Sequence, residues 1–279
     1  MRPALFLIPM LMTAAELKID HVTVGGADLK VMQAQLASIG IRSEYGGAHS
    51  NHATEMAIAS FPDGSYLELI AIQPNADPKA VDAHYWKKYM QGNAGPCAWA
   101  VRTTDVAAEV SRLRSAGVEV TAPQRSGRQK PDGTRLEWET ANVGAEPNGT
   151  FFPFIIRDFT PRENRAFVAG HPTTSDFRGV TRVIIVVRDL KAATARYRTA
   201  YALGAPIETT DTAFGAKLAV FEGSPVVLAS PMGKSWAAER LEKFGEGPCA
   251  FVLGKGSSKS GWTVTWFDAA KLGWRLGWE

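Results

Sequence analysis

A histidine and a glutamate lie in segments with the pattern of strands, and their side chains could bind a metal or move a proton. His21 is part of the alternating segment 19–24, and Glu68 is part of the apolar segment 66–72. A carboxylate on a buried or cleft-facing side needs a partner, because an unpaired buried charge is costly. That partner is a metal ion, His21 or an arginine. We interpret the two residues as metal ligands or as a polar pair without metal; His21 alone could be a hydrogen-bonded structural residue.

Two more histidines follow in a glycine-rich, polar stretch. His49 and His52 are three positions apart, just before the next predicted strand. A solvated loop is one interpretation. The functional interpretation is that His49 lines a cleft, where it binds substrate or acts as a general base. With His21 and Glu68, either His49 or His52 would complete a set of two histidines and one carboxylate. We therefore take Glu68 and His49 as catalytic candidates, and His21, Glu68 and His52 as metal candidates.

Two other side chains are candidates for contact with a substrate. Trp138 alternates with Glu137 on a predicted strand, and the tryptophan is the better wall for a stacked ligand. Arg157 follows an apolar strand and could bind an anionic substrate, or it could lie at the rim. His84 lies in a helical connector beside two aromatic residues, where we interpret it as packing.

Composition and motifs exclude several function classes. The formal net charge is only +3 and the basic residues are scattered, which argues against nucleic acid. No apolar run after residue 20 is long enough to span a membrane. Catalytic-triad, phosphate-loop and dinucleotide-binding patterns are missing from the sequence. Cys97 and Cys249 each follow Gly-Pro in an apolar run, which predicts two buried thiols rather than a disulfide.

The N-terminus has the order of a secretory signal. Arg2 precedes an apolar run at 4–12, and small residues follow at 13–15. We predict a signal peptide at 1–15 and a periplasmic or secreted protein. The alternatives are an extended start or an apolar arm packed on the fold, which would leave the protein in the cytoplasm.

A strand, a helix and three strands recur along the chain, and such repeats determine an architecture. In the first copy Asp28 can cap a helix that ends at Gly40; in the second, Asp105 and Gly117 have the same spacing. The third copy starts at Val180, with a cap at Asp189 and a stop at Gly204. The polar stretch 123–133 is expected to be an exposed hairpin connection.

A fourth copy begins where 247–250 repeats the sequence of 95–98. Only 24 residues follow Lys255, so this copy is truncated or rebuilt. The fold class is therefore α+β, with repeated βαβββ modules in two halves. A linker at 161–177, rich in Pro, Thr and Arg, precedes the incomplete second half at 178–279. Four tryptophans of the C-terminal tail are expected to seal the core or to join two chains in a homodimer.

Five motifs in order resemble the glyoxalase-like domain of the vicinal-oxygen-chelate superfamily. They cover about half of the chain, and the resemblance assigns residues 18–160 to that domain. Individually the motifs are weak, but their order makes the set fairly specific. They are Ile19-Asp20-His21, Gly46-Gly47-Ala48-His49, Tyr66 to Ala71, Pro131-Asp132-Gly133 with Leu136 and Trp138, and Pro153-Phe154-Ile155-Ile156.

The resemblance implies a divalent metal, such as Zn, Fe, Mn or Ni, held by a histidine and a glutamate from each module. His21 and Glu68 occupy those positions in the first module. Alignment of the helix caps and the turns puts Ala98 and Pro153 there in the second module, and Arg182 and Val227 in the third. Only half of the expected ligands of the first pair are therefore retained.

Two functions follow from this pattern. The first is a metal-dependent enzyme of the glyoxalase or dioxygenase type, acting on a small carbonyl or vicinal-oxygen compound. The second is a non-catalytic protein that binds or sequesters a small molecule and has a degenerate metal site. The missing ligands favour the second function, and His21, Glu68 and His49 favour the first.

Overall fold

A computed structural model describes residues 15–130, 132–256 and 261–279. The predicted signal peptide lies outside these residues except for Ala15, whose N–H donates to the carbonyl of Tyr201 at 3.0 Å. Within the described ranges no helix has both the length and the apolar character needed to cross a membrane.

The first module has the predicted order of one strand, one helix and three strands. The Asp28 carboxylate accepts a hydrogen bond from the Val31 N–H and caps the helix, and Gly40 follows the helix with a φ of +86°. Its elements are β1 Lys18–Gly25, α1 Leu29–Ala37, β2 Glu44–Ala48, β3 Thr54–Ser60 and β4 Tyr66–Ile72.

Two short helices connect the first module to the second. Asp105 caps the second module's long helix as Asp28 caps α1. The polar stretch predicted as a hairpin connection contains a strand, because its backbone pairs with the next strand despite its composition. The elements are α2 Pro78–Asp82, α3 Lys87–Gln91, β5 Gly95–Arg102, α4 Val106–Ser115, β6 Gln124–Gln129, β7 Arg135–Ala141 and β8 Phe154–Asp158.

The second half repeats this plan and ends early. Asp189 caps its helix, but the helix ends at Ala202 with a left-handed φ of +50°, two residues before the predicted stop at Gly204. The fourth module keeps its first strand and two short strands. The elements are α5 Arg162–Ala166, β9 Gly179–Val186, α6 Leu190–Tyr201, β10 Ile207–Asp211, β11 Ala216–Val220, β12 Val226–Pro231, α7 Trp236–Phe244, β13 Gly247–Gly254, β14 Thr265–Trp266, α8 Ala269–Leu272 and β15 Arg275–Trp278.

Each half forms one curled mixed sheet. The first has the order β2-β3-β4-β1-β5-β8-β7-β6, and the second has the order β10-β11-β12-β9-β13-β15-β14. In both sheets the first strand of each module pairs parallel with the last strand of the same module. The first strands of the two modules pair antiparallel at the centre. The fold is therefore α+β, built from repeated βαβββ modules.

A shared apolar core joins the two halves. It contains Trp99 and Leu67 from the first half, and Tyr197 and Phe251 from the second. A separate apolar cluster fills the second sheet, and Trp262 and Trp266 of the tail pack against it. Both cysteines are buried free thiols, as predicted.

The segment predicted as a linker is built into the first half. Its helix α5 carries two arginines, and Arg165 is almost fully buried. Arg165 donates to Asp20 on β1, to Asp158 on β8 and to the hydroxyl of Tyr66 on β4. These contacts fix α5 against the three central strands.

Candidate functional site

The first sheet curls around a cavity of about 500 Å³, and most of the predicted site residues line it. Because side chains alternate along a strand, each strand presents every second residue to this cavity. A larger cavity of about 610 Å³ lies between the two halves, and none of the described residues that line it is a histidine. The histidines and the glutamate of the predicted site, except His52, therefore lie in the cavity of the first half.

His21 is held in place from three sides. The Asp20 carboxylate lies 2.6 Å from its Nδ1 atom. The Tyr66 ring stacks on the imidazole at 4.9 Å between centroids, and the Phe154 ring meets its edge at 5.3 Å. Because an ionised carboxylate only accepts hydrogen bonds, Asp20 places a proton on Nδ1. This leaves Nε2 directed at Glu68, with 4.0 Å between Nε2 and Oε2.

Asp20 is itself fixed by a buried charge cluster. Arg162 and Arg165 both donate to its carboxylate, and Asp158 accepts from the same two arginines. Burial alone would raise the pKa of Asp20. Arg165, the hydrogen bond with His21, and Arg162 outweigh that effect and hold the pKa of Asp20 well below its usual range. Asp20 therefore stays ionised behind His21.

Glu68 is the carboxylate at the centre of the site. It is 8% exposed, and the Thr23 hydroxyl donates to its Oε2 at 3.2 Å. The Nε2 atom of His49 lies 3.6 Å from Oε1. Burial alone would raise the pKa of Glu68, but His49, His21 and the Thr23 hydroxyl lower it to about 2. Glu68 is thus a carboxylate at any physiological pH.

The structure brings His49 to this carboxylate and leaves His52 outside. The Nδ1 atom of His49 lies 2.7 Å from the Thr54 hydroxyl, and about a quarter of its side chain is exposed to the cavity mouth. His52 is exposed, has a left-handed φ of +58° and does not line the cavity. The possible metal ligands that face one another are therefore His21, Glu68 and His49.

The donor chemistry of these residues fits a divalent metal. Each imidazole is held through Nδ1 by an oxygen and turns Nε2 toward the carboxylate, which is how metal-binding histidines are usually oriented. In the described ranges, however, no group of three His, Cys, Asp or Glu side chains has the spacing of an assembled metal site. The site has the ligand types without their convergence on one point.

The second module supplies no ligand, and one expected position changes. The caps Asp28 and Asp105 align His21 with Ala98, as predicted. In the strand register, Thr23 pairs with Glu68 and the equivalent Ala100 pairs with Phe154. Phe154, rather than the predicted Pro153, therefore takes the position of Glu68. The turn alignment was off by one residue because the loop before β8 differs from the turn before β4.

In the third module, the positions equivalent to His21 and Glu68 do not form a site. Arg182 has the position of His21, and its Nε atom donates to the Glu279 carboxylate at 2.8 Å. The register pairs Ile184 with Val227, so Val227 has the position of Glu68, as predicted. Both Ile184 and Val227 belong to the apolar cluster that fills the second sheet.

Trp138 lines the cavity and Arg157 does not. The two residues lie on the neighbouring strands β7 and β8. Since Phe154 and Ile156 face the cavity, alternation turns Arg157 to the other face of the sheet. There its guanidinium lies 5.0 Å from the centre of the Phe159 ring.

Several cavity residues were not expected from the sequence. His84, Tyr85 and Trp86 form one wall, and the indole N–H of Trp86 donates to the Asn148 carbonyl at 3.1 Å. Burial lowers the pKa of His84. Arg128 comes from β6, in the stretch predicted as an exposed connection. The three consecutive aromatic rings at 84–86 were the sequence signal that could have indicated this wall of the cavity.

The fold and the site together define a protein of the vicinal-oxygen-chelate kind. The sequence matches the family described as "Glyoxalase-like domain" over residues 19–201. The chain belongs to this family. No protein with a curated description matches the sequence significantly.

Solved structures are similar to this chain at low sequence identity, and the first one named here shows the same fold. A hypothetical protein from Staphylococcus aureus is 15% identical, with a TM-score of 0.67 over 94% of this chain and 99% of that chain. A xylose isomerase-like TIM barrel/4-hydroxyphenylpyruvate dioxygenase fusion protein is 13% identical, with a TM-score of 0.49 over 90% of this chain and 39% of that chain. Methylmalonyl-CoA epimerase from Mycobacterium tuberculosis is 20% identical, with a TM-score of 0.35 over 53% and 92%.

Proposed function

We propose that the first cleft is the active site of a glyoxalase-like enzyme that acts on a small carbonyl or vicinal-oxygen compound. The observation that supports this proposal is the orientation of the two imidazoles. His21 and His49 are each held through Nδ1, and each directs Nε2 at the Glu68 carboxylate. Such hydrogen bonds behind an imidazole are expected where a side chain must hold one position during a reaction.

In this proposal His21, Glu68 and His49 hold a divalent metal such as Zn, Fe, Mn or Ni. Two imidazoles and a carboxylate suit these ions and leave open positions for a substrate. When bound, the metal would supply a Lewis acid that polarises adjacent substrate oxygens. Asp20 and Thr54 orient the two imidazoles from behind.

The low pKa of Glu68 separates the roles of these residues. A general base works best when its pKa lies near the operating pH. With a pKa of about 2, Glu68 is a weak base and a permanently charged anchor. The Nε2 atom of His49 therefore has one of two roles: it binds the metal, or, in a cleft without metal, it transfers the proton. One nitrogen lone pair cannot do both.

Metal analysis of protein purified without chelators tests the proposal. We expect stoichiometric metal in the wild type, and its loss in His21→Ala and Glu68→Ala. His52→Asn is the matched control, because His52 is exposed outside the cavity and asparagine tolerates its left-handed backbone. Two results together would contradict the metal-dependent function: the wild-type protein contains no metal, and both alanine variants still fold.

A second function is supported by Ala98 and Phe154, which replace the ligands of the second module with apolar groups. Phe154 also packs on the edge of His21. In this case the cleft binds or sequesters a small molecule without transforming it. The two functions differ in one measurement: a binding protein would return its ligand unchanged after prolonged incubation, whereas an enzyme would not.

We also propose that the protein is periplasmic or secreted, because its N-terminus has the pattern of a signal peptide. The mass of the N-terminal peptide of exported protein tests this. Loss of the first 15 or so residues is expected, and an intact Met1 would contradict it.

A further inference from the structure

One arginine turns into the cleft without an aspartate beside it. The described lining includes Arg125, Arg128 and Arg165, and its one carboxylate is that of Glu68. The strand register pairs Arg125 with Glu139, and Glu139 with Arg157, so Arg125 lies on the outer face of the sheet with Arg157.

The charge of Arg165 is neutralised by the aspartates of the buried cluster. Asp20 and Asp158 each pair with both Arg165 and Arg162, so two negative charges balance two positive ones.

Arg128 is therefore the arginine of the described lining that faces the cleft without an aspartate partner. A guanidinium in such a position is suited to bind an anion.

Arg128 has an unusual place in the sheet. It lies on β6, and its Nη1 atom donates to the carbonyl of Gly46 on β2 at 2.8 Å. Because β2 and β6 are the two opposite edges of the first sheet, this bond spans the open side of the curled sheet. Arg128 thus lies across the cleft, whose lining also includes Glu68 and Tyr66.

The guanidinium of Arg128 retains donors for a ligand. Among the described residues no carboxylate pairs with Arg128, and the hydrogen bond it makes is the one to Gly46. Its side chain is only partly buried and lines the cavity, so a ligand in the cleft can reach the guanidinium. Arg125, by contrast, is exposed and lies over the Phe159 ring at 4.3 Å.

We propose that the ligand of this cleft is a small organic acid, and that Arg128 binds its carboxylate. A guanidinium is well suited to this, because its planar N–H donors match the geometry of a carboxylate. The oxygen next to the carboxylate then lies near Glu68 and His49, where a hydroxyl donates to the Glu68 carboxylate and an oxo group accepts from the His49 imidazole. The Trp138 ring flanks the rest of the molecule. This inference rests on the proposed function and names its substrate class as 2-oxo or 2-hydroxy acids.

Matched acids and esters test the role of the charge. Binding of mandelate, 2-oxobutanoate and their methyl esters to the full chain is measured by calorimetry. Each ester keeps both vicinal oxygens and loses the negative charge. We expect at least one acid to bind about tenfold or more tightly than its ester, as for a charge-assisted hydrogen bond. Arg128→Gln should reduce this preference to within about twofold, and Arg128→Lys should restore part of it.

Arg157→Gln is the matched control, because Arg157 lies on the neighbouring strand β8 and faces away from the cavity. It should leave the preference unchanged. Equal binding of acid and ester by the wild type, a preference that persists in Arg128→Gln, or no binding of any of the four compounds would overturn the proposal. If acid and ester bind equally and Glu68→Ala abolishes both, the Arg128 inference fails while the cleft remains the functional site.

Discussion

The low pKa of Glu68 has a measurable consequence for stability. A carboxyl that ionises more readily in the folded protein stabilises the fold only while it is charged. Its pKa is about 2 in the fold, against an ordinary value of 4.5. With 1.36 kcal/mol for each pH unit, the difference corresponds to about 3 kcal/mol. The folded pKa is lowered, so this contribution is complete above about pH 4.5 and is lost as the pH falls through about 2.

The substitution Glu68→Gln isolates this contribution, because glutamine keeps the shape and cannot ionise. We expect the free energies of unfolding of wild type and variant to converge as the pH is lowered. About 2 kcal/mol of the ionisation contribution should be lost between pH 6 and pH 3. The measurement is urea unfolding of chelator-treated protein, followed by tryptophan fluorescence, at steps of one pH unit.

Glu55→Gln provides the matched control. Glu55 lies on the adjacent strand β3, where Met56 and Ile58 face the cavity, so it faces the other side of the sheet. There it accepts a hydrogen bond from the Tyr45 hydroxyl at an exposed position. Its variant should track the wild type at every pH. If the difference in free energy of unfolding between wild type and Glu68→Gln stays constant from pH 6 to pH 3, the charge of Glu68 does not stabilise the fold, and the reasoning is refuted.

Three further predictions concern the residues that position the site. Asp20→Asn leaves two buried arginines with one fewer carboxylate and should lower the free energy of unfolding by about 3–5 kcal/mol, measured by urea unfolding. Gly127→Ala places a Cβ atom 2.5 Å from the Leu136 carbonyl. It should lower thermal stability by about 1–3 kcal/mol and weaken ligand binding, since it displaces the strand that carries Arg128. Trp138→Ala should weaken ligands that contain a ring by roughly tenfold and leave 2-oxobutanoate little affected, measured by calorimetry.

The repeated pattern of the sequence was sufficient to predict the fold. Asp28, Asp105 and Asp189 are local signals, because each caps its helix through the N–H three residues later. Local signals of this kind survive in any tertiary context. The third helix shows the limit: Ala202 accepts the left-handed conformation that the sequence pattern assigned to Gly204.

The site was predictable only where it depends on strand alternation. Glu68 and Trp138 face the cavity through regular alternation of their strands, and His21 faces it beside a register shift between Ile19 and His21 in β1. Arg128 could not be found in this way, since its partner Gly46 is 82 positions away and the two meet only because the sheet curls. The α5 arginines were missed for a similar reason: a polar segment rich in Pro and Arg has the composition of a linker, and only the buried aspartates reveal its role.

The first three modules together explain why one cleft is polar and the other is filled. The position of Glu68 is taken by Phe154 in the second module and by Val227 in the third, so one carboxylate remains at these three equivalent positions. In the second half the apolar cluster occupies the inner face of the sheet, and tail tryptophans cover it.

Loss of ligands in one half can be tolerated if that half gains core packing, because buried apolar area stabilises the fold. The remaining histidines and carboxylate are then held by residues of the first half. Around His21, Asp20 and Tyr66 of the first module and Phe154 of the second fix the ring from three sides.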